Sequence, residues 1–275
     1  MNKLRTFLYE KYGKVITKEL LSEENRIMAD KLKKGGEGQS ATNAQMEKFV
    51  EEGLLREDDY KKINRWSFDF PAWIGEFEPK EVMIVGLEPH IQENDYQTVY
   101  EFGETSNKSI QADHFLWKRL CFLFSEEKEF SEEKKLDTKI LQKFYITDLC
   151  HFAPKGNANK IKVLKNWKNI RKNVADKFLI QEIELVQPKI ILAQGGDAFK
   201  FLKKELELID RKVECIETDY KNPKEYGIYF ATYNDIKVFG VPHIGTEFNL
   251  LYNFWERKIS VVREKIELCM SEKMG

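Results

Sequence analysis

The chain has 275 residues, 42% of them apolar and 13% aromatic, which is enough to bury a sizeable core in one large domain with an appendage. Charged residues make up 33% yet the net charge is -1, so only local clustering of charge can point to a nucleic-acid partner. No apolar run approaches membrane-spanning length, and Met1-Asn2-Lys3-Leu4-Arg5 lacks the apolar core of a secretory signal; the expectation is a cytoplasmic protein without a membrane partner.

Residues 1–66 read as an N-terminal helical extension of unknown role, and residues 67–275 as the main domain. Leu4, Phe7, Leu8, Tyr12 and Val15 have rough helical spacing. Lys34-Gly35-Gly36-Glu37-Gly38-Gln39-Ser40 is a flexible break; it has neither the apolar strand nor the Lys-Ser/Thr pair of a phosphate loop. Thr42-Asn43 can cap a helix that runs through Val50 and ends at Gly53, and a second short helix is expected over Glu57 to Ile63. Phe68-Asp69-Phe70-Pro71-Ala72-Trp73-Ile74 reads as an aromatic cover over a core.

Val82-Met83-Ile84-Val85 is a continuous apolar run, which marks a strand buried on both faces. It stops at Gly86-Leu87-Glu88-Pro89-His90, where two ionisable groups arrive together with Gly and Pro. Gln92 to Asn107 reads as a long loop carrying Tyr96, Tyr100 and Phe102, and long loops in compact domains are often functional. Helices are expected over His114–Phe124 and Glu132–Leu141, followed by a second strand over Phe144–His151.

From Lys155 to Lys177 the chain is basic: Lys155, Lys160, Lys162, Lys165, Lys168, Arg171, Lys172 and Lys177 face one acid, Asp176. Such a segment is either a solvated helix face or a footprint for a phosphate backbone. A helix through Leu185 leads to Pro188 and a third strand, Lys189-Ile190-Ile191-Leu192-Ala193-Gln194, which Gly195-Gly196 turns into a helix from Asp197 to about Leu208. Ile228–Thr232 and Ile236–Val241 flank Asn234-Asp235, a hairpin signal, and the second of them reaches Pro242-His243. Thr246-Glu247 can start the last helix, whose stripe of Phe248, Leu251, Tyr252, Trp255, Ile259, Val262 and Ile266 is core.

Strands alternating with helices imply an α/β fold, a three-layer sandwich around a central, mainly parallel four-stranded sheet. Parallel strands share a carboxyl edge, and ligands of open α/β sheets bind there. Glu88, His90, Asp148, His151, Gly195-Gly196 and His243 all fall at that edge. Cys121, Cys150, Cys215 and Cys269 make no C-x-x-C pair, so zinc and iron–sulfur signatures are missing, reduced thiols are expected, and no cofactor is implied.

The ordered set Gly86-Leu87-Glu88-Pro89-His90, Tyr145-Ile146-Thr147-Asp148, Glu184 to Ala193 and Val241-Pro242-His243 resembles the uracil-DNA glycosylase superfamily over roughly residues 80–265. The resemblance implies catalytic roles for Glu88, as the carboxylate that activates water, and for His243, as the support of the leaving base. It implies a substrate pocket of Gly86, Leu87, Pro89, His90, Phe102 and Asp148, with Phe102 as the stacking platform and Asp148 in the place of an Asn that reads the base edge. It implies DNA, or another nucleobase-containing ligand, as partner; the basic segment then offers Lys155, Lys160, Lys162 and Lys165 as candidate phosphate contacts, and a monomer is the expected state. Two residue choices depart from the pattern: Asp148 is not an amide, and Ile244-Gly245-Thr246, not Pro-Ser, follows His243.

The residue types suit the chemistry. Cleavage of an N-glycosidic bond passes through an oxocarbenium-like sugar, which a carboxylate stabilises while it orients water. A His donor can meet the charge that develops on the leaving base, and the base must first leave the stack for a shaped pocket. Three readings stand. The first is a base-excising DNA glycosylase of unassigned specificity. The second is a non-catalytic member that binds nucleic acid, base or nucleotide. The third is a hydrolase of another class that uses Glu88, Asp148 and the histidines around a metal.

Overall fold

The computed structural model describes residues 46–63, 66–68, 71–73, 80–87, 115–127, 129–131, 133, 135, 137–154, 164, 166–217, 225–244 and 250–271. Its strands are β1 (Trp66–Phe68), β2 (Ala72–Trp73), β3 (Val82–Gly86), β4 (Phe144–Asp148), β5 (Phe152–Pro154), β6 (Ile190–Gln194), β7 (Asp210–Glu217), β8 (Glu225–Tyr233) and β9 (Ile236–Val241). Its named helices are α1 (Glu57–Lys61), α2 (Phe115–Leu123), α3 (Thr138–Leu141), α4 (Trp167–Lys177), α5 (Leu179–Val186), α6 (Gly196–Glu205) and α7 (Leu250–Ser271). A further helical stretch covers residues 46–51. The chain divides into two compact units. One gathers Met1–Phe77, Leu87–Ser106 and Ile146–Gln187; the other gathers Glu78–Gly86, Asn107–Tyr145 and Pro188–Gly275.

The second unit holds the central sheet. β3 pairs parallel with β6, and β6 parallel with β9, in a register that aligns Val85, Ala193 and Gly240. β4 lies beside β3: the Val82 N–H donates to the Lys143 carbonyl just before β4 begins. The apolar runs make this arrangement necessary. Met83, Ile84 and Val85 of β3 and Ile191, Leu192 and Ala193 of β6 are wholly buried, as strands covered on both faces must be. The expected α/β architecture with a mainly parallel central sheet is the one observed, but the sheet is wider than four strands. The hairpin β8–β9 turns at Asn234 in the left-handed region (φ 50°), and β7 pairs antiparallel with β8.

Helix α6 packs on β6 and β9, and it comes so close that a Cβ at Gly240 would stand 2.5 Å from the Phe199 ring. Helix α7 packs against α2, β8 and β9 and buries Phe254, Trp255, Ile259, Val262 and Ile266. Every one of these except Phe254 lies on the stripe expected from spacing alone; the Thr246-Glu247 cap and Phe248 lie outside the described residues.

The first unit has its own core. Phe49 meets Phe152 and Phe178 at centroid distances of 5.0 and 5.7 Å, and Phe152 meets Trp167 at 5.9 Å. The expected helix through Val50 is present, and Gly53 beyond it takes a left-handed φ of 72°. Within residues 68–74, read from sequence as cover, Phe68 ends β1 and Ala72–Trp73 form β2; β1 pairs antiparallel with β5. The expected strand over Phe144–His151 is shorter: β4 ends at Asp148, and a separate strand, β5, begins after His151 at Phe152.

The expected helix over Glu132–Leu141 is reduced to α3, Thr138–Leu141. Local side-chain bonds replace it: the Glu133 N–H donates to Ser131 Oγ and the Lys139 N–H to Asp137 Oδ1. Between Ser131 and Leu136 there is no apolar residue to hold a helix against a core.

Candidate functional site

The carboxyl edge of the parallel strands is where the site residues were expected, and each unit is described in turn. In the second unit, Gly86 ends β3 half-buried, and the register places Gln194 and Val241 side by side at the ends of β6 and β9. The Gly195 N–H donates to the Val241 carbonyl at 2.7 Å, closing the ladder. Gly195 then turns the chain with φ 91°, a conformation that a Cβ disfavours, so that Gly196 can open α6.

His243 follows two residues after the ladder ends. Its side chain is exposed, while Pro242 before it and Ile244 after it are buried. The His243 carbonyl accepts from Trp255 Nε1 at 2.9 Å, and the Ile244 carbonyl accepts from Arg119 Nη1 at 2.9 Å. Both donors are completely buried.

In the first unit, Leu87 is half-buried and its carbonyl accepts the Cys150 N–H at 3.2 Å. Asp148, half-buried, lies two residues before that bond as the last residue of β4. The residues that bracket it are anchored behind the strand. Thr147 Oγ1 donates to Glu182 Oε2 at 2.7 Å, and His151 Nε2 lies 3.1 Å from Glu182 Oε1. All three side chains are buried, with Glu182 at 0% exposure, and the Phe178 ring meets His151 edge-on at 5.6 Å. His151, expected at the carboxyl edge with the other ionisable groups, is thus a sealed core residue.

Sequence reasoning passed over Glu182 and Thr147. The signal was present in α5, where Leu179, Glu182, Ile183 and Val186 form the buried face; an acid at a core position of an apolar helix implies a buried partner.

Glu88, Pro89, His90 and Phe102 lie outside the described residues, as do Lys155, Lys160, Lys162 and Lys165. Helix α4 of the basic segment buries Trp167, Ile170, Val174 and Ala175; Lys168 is exposed, and Arg171, Lys172 and Lys177 are half-buried. Two of its cations are paired: Lys177 with Glu52 at 2.6 Å and Lys172 with Asp176 at 2.9 Å.

Among the described residues no group of three His, Cys, Asp or Glu side chains is placed to hold a metal ion, and Cys121, Cys150 and Cys269 are buried free thiols. Among the described residues no helix is long and apolar enough to cross a membrane.

Gly86 ends β3 and Asp148 ends β4, and His243 follows two residues after β9. No curated protein matches the chain. The family model of the uracil DNA glycosylase superfamily matches residues 74–244, and the chain belongs to that superfamily.

Proposed function

We propose that the protein is a DNA glycosylase that hydrolyses the N-glycosidic bond of a damaged or non-standard base turned out of the helix. The observation that carries this reading is His243, exposed two residues beyond the closed end of a parallel ladder in a chain of this superfamily. In the proposed reaction Glu88 orients a water and stabilises positive charge on the sugar, while His243 donates to the leaving base. Phe102 supplies a stacking surface, and Gly86, Leu87, Pro89 and His90 line the pocket. Asp148 contacts the base edge, and Lys155, Lys160, Lys162 and Lys165 contact the phosphate backbone.

Incubation of the protein with oligonucleotides carrying uracil, hypoxanthine, xanthine and mismatched bases tests the proposal. Excision of at least one base is expected. Glu88→Gln and His243→Ala should each slow it by about 10² or more, the scale for losing a positioned base or an anion-stabilising donor. An active Glu88→Gln protein would remove that residue from the mechanism.

Asp148 in place of an amide favours a second reading, in which the same pocket binds a nucleic acid, free base or nucleotide without cleaving it. Tight binding of one oligonucleotide in the panel with no excision of any would favour that reading.

A further inference from the structure

We propose that Arg119 and Trp255 are positioning residues: together they clamp the backbone at His243 and so fix where its imidazole meets the leaving base. This rests on the reading of His243 as the donor to that base.

The β6–β9 ladder ends before His243. The ladder of β6 and β9 ends at the Gln194–Val241 pair, and the last backbone bond there joins Gly195 to Val241. Beyond it the chain carries Pro242, which has no N–H to give, and Gly245, which has no Cβ to restrict it. A segment of this composition would wander if nothing else tied it down.

Two side chains tie it. Trp255 Nε1, from α7, donates to the carbonyl of His243 itself; Arg119 Nη1, from α2, donates to the carbonyl of Ile244. Both bonds are 2.9 Å, and they fix two successive carbonyls from two different helices. The first bond holds the peptide plane that leaves the His243 Cα, and the second holds the next plane, so the chain on the carboxyl side of the histidine has little freedom to swing.

The choice of donors argues for a specific purpose. A fully buried arginine is rare, because its guanidinium must be satisfied where water is excluded. A charged donor to a carbonyl makes one of the stronger hydrogen bonds. Apolar packing alone would need neither the guanidinium nor the indole N–H at these places. The exposure pattern agrees: Pro242 and Ile244 are buried, and the chain turns outward for the histidine alone.

The consequence is chemical. A donor stabilises a developing anion only if it already stands where the charge appears, within about half an ångström. Displacement of such a group by about 1 Å can cost 10²-fold in rate.

The test uses Trp255→Phe, which keeps an aromatic ring and removes the N–H, together with Arg119→Lys and Arg119→Met. The chain has four histidines, His90, His114, His151 and His243, so imidazole NMR reads His243 with the other three as internal references. In Trp255→Phe the His243 ring signal should shift and its motion increase while the other three hold still. Turnover on an excised base should fall roughly 10- to 100-fold at an unchanged KM. Arg119→Lys should keep part of the order that Arg119→Met loses; if the Arg119 variants do not fold, Trp255→Phe decides alone. An unchanged His243 signal overturns the proposal whatever the activity. So does a common shift of all four histidines, which would mean general loosening. A selective response of His243 in a protein that excises no base keeps the clamp and removes the glycosylase reading.

Discussion

The Glu182 carboxylate lies 3.1 Å from the His151 ring nitrogen, with both side chains sealed from solvent. Its other oxygen accepts the Thr147 hydroxyl at 2.7 Å, so one carboxylate anchors residues on both sides of Asp148. Burying a carboxylate costs several kcal/mol unless its oxygens are met; here the Thr147 hydroxyl meets one by a hydrogen bond, and His151 Nε2 stands close to the other without hydrogen-bond geometry. Removal of one member leaves the others stranded. Glu182→Ala is expected to destabilise the protein by about 3–5 kcal/mol, and Thr147→Val by about 1–3 kcal/mol, in urea unfolding at neutral pH. A loss below about 1 kcal/mol in Glu182→Ala would mean that the cluster relaxes around the gap.

The distribution of legible and hidden features follows from this kind of coupling. The parallel strands were readable because two covered faces demand unbroken apolar runs, such as Val82–Val85 and Ile190–Ala193. The hairpin was readable because Asn234 tolerates the left-handed turn. Strand β7, Asp210-Arg211-Lys212-Val213-Glu214-Cys215-Ile216-Glu217, carries five charged residues and gave no such run; its pairing with β8 is what makes it a strand. In the candidate site, motif positions at strand ends could be read one strand at a time. The Arg119–Ile244 bond, between residues 125 apart, and the Thr147–Glu182 bond, between residues 35 apart, could not. Sequence spacing does not encode such contacts; only packing brings them together.

Asp59 gives a pH-dependent prediction. Burial pushes its carboxyl pKa up, but hydrogen bonds from Lys62 and Arg56 and the charges of both more than offset this, so the pKa lies below the ordinary carboxylate value of 3.8. A depressed folded-state pKa contributes stability above the unfolded value, and that contribution is lost as pH falls through the folded one. Lys62 and Arg56 are about half exposed or more, so screening keeps the pair's worth small. Asp59→Asn should cost about 1 kcal/mol at neutral pH, and the gap to wild type should close on acidification through the folded-state pKa. A gap that does not change with pH would show that the loss is one of shape, not charge.

The basic segment can be dissected by salt dependence. Lys172 and Lys177 are engaged with Asp176 and Glu52, so they release few counterions on meeting DNA. Lys160, Lys162 and Lys165 precede α4 and carry the proposed phosphate contacts. Their joint neutralisation should weaken binding and reduce the slope of log affinity against log salt by about 0.9 per contact removed. Lys177→Gln should leave the slope nearly unchanged. Equal effects from both sets would mean that the segment acts only through its total charge.

In the proposed function, Asp148 is the residue that selects which base edge the pocket accepts. It ends β4 half-buried, two residues from the Cys150–Leu87 bond and next to Thr147, whose side chain is held by Glu182. Its backbone is therefore fixed, and a substitution there changes chemistry more than position. An amide at this place would accept from a ring N–H and donate to a carbonyl, which matches the edge of uracil. An ionised Asp only accepts: it can pair with a ring N–H but repels the neighbouring carbonyl. It suits a base edge with two donors, such as a ring N–H beside an amino group. We therefore expect the wild type to excise uracil poorly and Asp148→Asn, which restores the donor at nearly constant volume, to raise that activity. Because a site left with an unmatched polar group discriminates strongly, the gain should reach at least 10-fold in kcat/KM. Uracil excision and uracil affinity, measured for both proteins at neutral pH, decide the matter. Robust uracil excision by the wild type, or its loss in Asp148→Asn, would show that Asp148 does not read the base through this edge.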